Sequence, residues 1–165
     1  MRWLLLCLVL VLSGCKESAR DPAQDERDIA HVERAQDLHP PVIKLTPQPI
    51  AFTDFEQDNF YGAGCAFTPK AAEGLGPVLY TIADRGLVKL DDAALVLAAD
   101  SGSAEFPYGT RDTYTGQEHT FVLTKGGGDG ALTGEESVRW PGSLTIRDRW
   151  NRVAYQASGS LECGA

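Results

Sequence analysis

The chain has 165 residues, 43% of them hydrophobic and 23% charged, with a formal charge of −8. That is the composition of an ordinary globular protein. The acidity argues against a surface that binds nucleic acid or anionic lipid headgroups, while a basic partner remains reasonable; mild acidity also serves solubility alone.

The first fifteen residues set the compartment. Arg2 gives a positive start, Trp3 to Leu12 is an unbroken apolar run, and Ser13 and Gly14 precede Cys15. This is the layout of an export signal, which is removed from the mature chain. As a helix, an apolar run of about ten residues rises only ~15 Å, too little to span a bilayer. Leu12-Ser13-Gly14-Cys15 resembles the lipobox of bacterial lipoproteins. The resemblance implies a diacylglycerol on the Cys15 thiol, cleavage before Cys15 and acylation of the new amino group with a chain such as palmitate. Two or more acyl chains anchor a protein stably to a membrane. Lys16, where the family uses aspartate for inner-membrane retention, implies the outer membrane, facing the periplasm.

Residues 15–49 read as a tether, with Pro22, Pro40, Pro41, Pro47 and Pro49 and few large apolar side chains. A short helix is predicted within it. Asp21 caps, Pro22 takes the first helical position, and Gln24 sits where a capping-box partner belongs. Ile29, Val32 and Leu38 then share one face, and His39-Pro40-Pro41 ends the helix. The apolar stripe is thin, so marginal helix and disorder are both compatible with it. As flexible chain, about thirty residues span ~30 Å.

From residue 50 onward, short apolar runs alternate with turn-forming residues, and no stretch keeps helical periodicity. Tyr61, Ala63, Cys65 and Phe67 share one parity; Val78, Tyr80 and Ile82 alternate next. Val88 and Leu90, an Asp91-Asp92 turn, then Leu95 and Leu97 read as a hairpin. Thr120 to Thr124 is a further strand, and Val138 and Trp140 mark another. Leu144 and Ile146 precede a turn over Asp148 to Asn151. Val153, Tyr155 and Ala157 alternate after it, and Gly159, Leu161 and Cys163 keep the parity across a kink at Gly159. Several strands without intervening helices predict an all-β domain over residues 50–165. A small antiparallel barrel of about eight strands is favoured over a two-sheet sandwich.

Cys7 leaves with the signal and Cys15 takes the lipid, so Cys65 and Cys163 are left to pair in an oxidising compartment. That bridge closes a loop of about one hundred residues, worth up to ~4.7 kcal/mol on the chain-entropy model.

No catalytic constellation emerges, and a domain without enzymatic activity, cofactor or metal is expected. His119 is the single histidine after the tether, at the start of a strand. There is no nucleophile elbow and no free cysteine. Lys125-Gly126-Gly127-Gly128-Asp129-Gly130 lacks the Walker ending and any calcium-binding repeat, so it reads as a hairpin loop. Glu135 and Glu136 are calcium ligands or solvated carboxylates. The loop Ser101 to Gly109 carries Phe106 and Tyr108, which read either as binding anchors or as cover over a barrel mouth.

Ser101-Gly102, Phe121 and Lys125-Gly126, with a cysteine near each end of the domain, resemble the membrane-bound C-type lysozyme inhibitors. The resemblance implies inhibitory roles for Ser101 and Lys125, and lysozymes are basic while this chain is acidic. The chain departs from the pattern with Ala104, Glu105 and Phe106 after its Ser-Gly, and with a longer loop from Gly126 to Pro141. The expected function is a lipid-anchored envelope binding or structural module, with two alternatives. One is an inhibitor of a basic hydrolase; the other is a ligand-carrying barrel with a cavity lined by Tyr80, Leu97 and Tyr155.

Overall fold

A computed structural model describes residues 21–36 and 38–165. The expected signal peptide, the expected lipidation site Cys15 and residues 16–20 lie outside the described residues. The chain divides into two compact units, with the boundary between Pro40 and Pro41. In the first, helix α1 spans Pro22–Gln36. The Asp21 carboxylate caps it, accepting from the Ala23 N–H at 3.0 Å. Gln24 turns to Asp28 instead of closing a capping box, and none of the helix is buried. No described helix is long and apolar enough to cross a membrane.

In the second unit the alternating runs become strands β1 (Gly64–Pro69), β2 (Leu79–Thr81), β3 (Arg85–Leu90), β4 (Ala93–Ala99), β5 (Thr113–Thr115), β6 (His119–Lys125), β7 (Ala131–Leu132), β8 (Val138–Asp148) and β9 (Val153–Gly164). Eight of them close a ring in the order β1, β2, β3, β4, β5, β6, β8, β9 and back to β1, while β7 lies against the start of β8. Every pairing is antiparallel. The closed eight-stranded barrel, not the sandwich, is the architecture. Closure removes the sheet edges that an open sheet would expose.

Side chains of one parity fill the barrel. Phe67, Leu79, Val88, Tyr114, Phe121, Leu144, Ile146 and Leu161 are all buried there, each worth about 1.5–3 kcal/mol when fully removed from water. The Tyr114 hydroxyl accepts from the Arg111 N–H at 2.8 Å and donates to the Ile82 carbonyl at 3.0 Å, so its polar end is satisfied. Burial pushes its phenol above the ordinary tyrosine range. Cys65 and Cys163 face each other across β1 and β9 and are joined by a disulfide, S–S 2.04 Å, at the seam where first and last strands meet.

A second apolar cluster lies outside the ring. Short helix α2 (Phe52–Gln57) and the residues around it bring Ile50, Phe55 and Phe60 onto Leu87 and Tyr80. Asp54 fastens this cover: its carboxylate accepts from the Ala51 N–H at 2.7 Å and from Lys89 Nζ at 3.0 Å. Those two contacts, the backbone bond foremost, hold its pKa below the usual carboxylate range against the opposing effect of burial.

The structure departs from the sequence pattern at three places, the first of them because of this cover. Tyr80 faces outward, donating its hydroxyl to Gly62 O at 2.8 Å, and Leu79 and Thr81 point into the barrel instead. Both faces of β2 and β3 are covered, so alternation does not reveal which side is inside. The proline-rich stretch before residue 50 joins the barrel: Leu45 N–H donates to Ala154 O at 3.1 Å, Gln48 bridges Lys89, and Ile50 N–H donates to Pro77 O at 2.8 Å. Prolines suit such extended edge segments while erasing any strand signal. Strand β9 runs unbroken through Gly159, where a Cβ would lie 2.1 Å from Thr68 O. The glycine there permits close backbone approach.

Candidate binding loops and a notch in the barrel

Antiparallel order sorts the connections between two ends. At the disulfide end lie residues 58–63, 82–84, 100–112 and 126–137. They carry Asp58, Asp84, Asp100, Glu105, Asp112, Asp129, Glu135 and Glu136, against the single base Arg111. At the other end lie residues 70–78, 91–92, 116–118 and 149–152, with Glu73, Asp91, Asp92 and Glu118 balanced by Lys70, Arg149 and Arg152. The net negative charge is therefore concentrated at one mouth, where it sets the field met by an approaching partner.

All four residues singled out for binding lie at that mouth, in different settings. Ser101 is exposed in a tight turn built by Asp100, whose carboxylate accepts from the Gly102 N–H at 2.9 Å. Phe106 packs against the barrel core and covers the mouth. Beneath this loop Thr110 is fully buried, 3.2 Å from the Cys65 sulfur, and donates to Pro107 O at 2.9 Å. Tyr108 stays 42% exposed with a left-handed backbone, φ 61°, a conformation uncommon for a bulky residue. Its hydroxyl donates to Glu136 O at 2.5 Å and so joins the two long loops.

Lys125 is not displayed as a free charge: its Nζ stands 4.8 Å from the centre of the Trp140 ring, a cation–π arrangement. The Trp140 Nε1–H donates to Gly128 O at 3.1 Å. A Cβ on Gly130, whose φ is +79°, would lie 2.7 Å from the indole. The glycine-rich loop thus lies flat over Trp140, which needs glycine there for contact and for backbone angle. Arg139 and Thr133 both donate to the Glu162 carboxylate, holding its pKa below the ordinary range, with the Thr133 hydrogen bond the larger influence. Among the described residues no cluster of three or more His, Cys, Asp or Glu side chains is arranged to hold a metal.

The residues expected to line an internal ligand cavity do not meet. Leu97 faces the core and Tyr155 packs beside it, but Tyr80 lies in the outer cluster.

The other end holds a feature that periodicity did not disclose. Strand β3 pairs with β4 from Ala93 to Ala98, but β5 pairs with β4 only at Ala98 and Ala99. The wall is therefore notched beside residues 93–97. A cavity of about 400 Å³ opens there, between Leu95, Val96 and Leu97 on one side and Gly116 to His119 with Phe121 on the other. Leu95 is 43% and Val96 48% exposed. His119, read as a plain strand residue, stands on the far wall opposite Asp148. The rim is tied by an ion pair between Glu118 and Arg149, and the Arg149 and Arg152 guanidiniums lie 5.4 and 4.8 Å from the Trp150 ring centre. One sequence signal pointed here: Ala93 to Ala99 is aliphatic at both parities and uncharged, unlike a strand with one wet face.

No protein-family model, no curated protein and no solved structure matches the chain.

Proposed function

We propose that the chain is a lipid-anchored, non-catalytic binding module of the bacterial cell envelope that meets a basic partner protein with the disulfide end of its barrel. The observation that carries the recognition half is the charge distribution: the loops at one mouth carry eight carboxylates and one arginine, together with the exposed Tyr61 and Tyr108. Tyrosine supplies a rigid, amphipathic contact, and surrounding carboxylates steer a basic surface onto it. The anchoring half rests on Leu12 to Cys15, with Lys16 favouring the outer membrane facing the periplasm.

An inhibitor of a basic hydrolase such as lysozyme is the sharper version of the same reading. Charge complementarity favours it, with Ser101 and Lys125 at the acidic mouth. Lysozyme inhibition by the oxidised chain, at low and at physiological salt, is the test. Inhibition that weakens with salt and is lost in a Glu135→Lys, Glu136→Lys variant supports it, because rim charges act through long-range steering. No inhibition removes lysozyme as the partner. Crosslinking in cells then identifies the basic envelope protein, and a crosslinked partner that is acidic, or unaffected by the charge reversals, overturns the acidic-mouth reading. Loss of palmitate labelling and membrane association in Cys15→Ser tests the anchor.

A further inference from the structure

We propose that the notch beside β4 is a strand-addition site. It takes an extended segment of a partner protein that carries alternating apolar residues and ends in a basic one.

Backbone bonding defines the site. Ala99 N–H donates to Asp84 O on the β3 side, and Asp100 N–H donates to Thr113 O on the β5 side. Antiparallel bonding alternates residue by residue. Counting back along β4, Leu97, Leu95 and Ala93 bond towards β3, so the N–H and C=O groups of Val96 and Ala94 point into the notch. Among the described residues no strand pairs with them there. These are a ladder's donors and acceptors in strand geometry, and a segment laid alongside completes four backbone hydrogen bonds.

The side chains fit the same occupant. Leu95 and Val96 offer exposed apolar surface on the two faces of the edge, so a period-two apolar segment finds contacts on both. The strand lacks the charges, prolines and bulges that natural proteins use to blunt an edge. At Gly116 a Cβ would lie 3.1 Å from Leu97 Cδ2, so glycine lets the closed end of the notch approach Leu97.

Charge selects the partner. Asp91 and Asp92, exposed and with φ of 49° and 63°, form the turn that begins β4. Glu118 on the far wall is already taken by Arg149. A segment antiparallel to β4 places its C-terminal residue beside the two aspartates, where Lys or Arg is favoured. A second copy of this chain is disfavoured: edge-to-edge pairing of two β4 strands gathers both Asp91-Asp92 turns and two chains of net negative charge.

The test uses the full oxidised chain and an alternating Thr-Val peptide ending in two lysines, with the same peptide ending in two glutamates as control. Amide exchange is followed by NMR. Binding of the lysine peptide that slows exchange at Ala94 and Val96 about tenfold or more supports the proposal. So does weakening of about tenfold in Val96→Pro, which removes one donor, and in Asp91→Lys. Val96→Lys, which keeps the backbone donor but puts a charge on the contacted face, is expected to weaken binding as well and guards against misfolding of the proline variant. Three results overturn it: no peptide binding with unchanged amides; equal binding of the two peptides; or protection of Ala94 and Val96 that appears without peptide and grows with protein concentration, which marks self-association.

Discussion

The two ends of the barrel close their mouths in opposite ways. At the disulfide end, residues 100–112 fold back, drop Phe106 onto the core and bury Thr110 against Cys65. At the other end, connections such as Asp91-Asp92 and 116–118 are short, and the bare edge of β4 is left beside them. A long loop can bring its own apolar cover and still project charge outward. A tight turn satisfies its backbone but covers nothing. One end therefore offers charge and the exposed Tyr61 and Tyr108, and the other offers backbone and aliphatic surface.

The contrast breaks most severely at the disulfide. A Cys65→Ser, Cys163→Ser chain is expected to lose about 2–4 kcal/mol in urea unfolding, since a bridge separated by 98 residues in sequence restricts the unfolded chain strongly. Next is Tyr114→Phe, which leaves the partly buried Arg111 N–H and Ile82 C=O without that hydroxyl. A loss of about 1–3 kcal/mol is expected by the same measurement, and an unchanged midpoint would mean that water replaces the hydroxyl.

Acid sharpens the comparison more gently. Glu162, at the disulfide end, and Asp54, in α2, both have their pKa lowered by partners. Their contribution is complete above the unfolded-state values, about 4.3 for Glu and 3.9 for Asp. It fades as pH falls through the lower folded-state values. Thermal midpoints should therefore hold from neutral pH down to about 5 and drop below about 4, with a shallower drop in Glu162→Gln. A shallower loss starting near neutrality would point to other groups. The smallest effect is expected at the opposite rim, where Arg149→Ala should leave the midpoint of thermal unfolding essentially unmoved, because Glu118 and Arg149 are both well exposed.

The parts legible in the sequence were those with one dry and one wet side. Leu144 and Ile146 in β8, and Leu161 and Cys163 in β9, all face the interior as their alternation indicates. The Asp91-Asp92 hairpin and the Asp21 cap were readable because each depends on a few adjacent residues. Tyr80 was misleading because α2 dries the outer face of β2 as well. Near Ile146 and Arg147 a register shift buries Ala154, which alternation alone leaves outside. Of the loop residues, Phe106 proved to be cover and Tyr108 the displayed ring. Their different exposure depends on what lies beneath the loop.

What the sequence determined by itself was local: the strand and turn alternation, the helix start at Pro22, and a single cysteine pair within residues 50–165. These follow from periodicity, capping and counting, which involve neighbours in the chain. Tertiary structure alone decided that the sheet closes, that residues 41–60 join the barrel, and that the acidic loops share one mouth. It also decided that β5 stops short of covering β4. Each of these depends on where strands distant in sequence end relative to one another, and the length of a neighbour's strand is not written in the residues it leaves exposed.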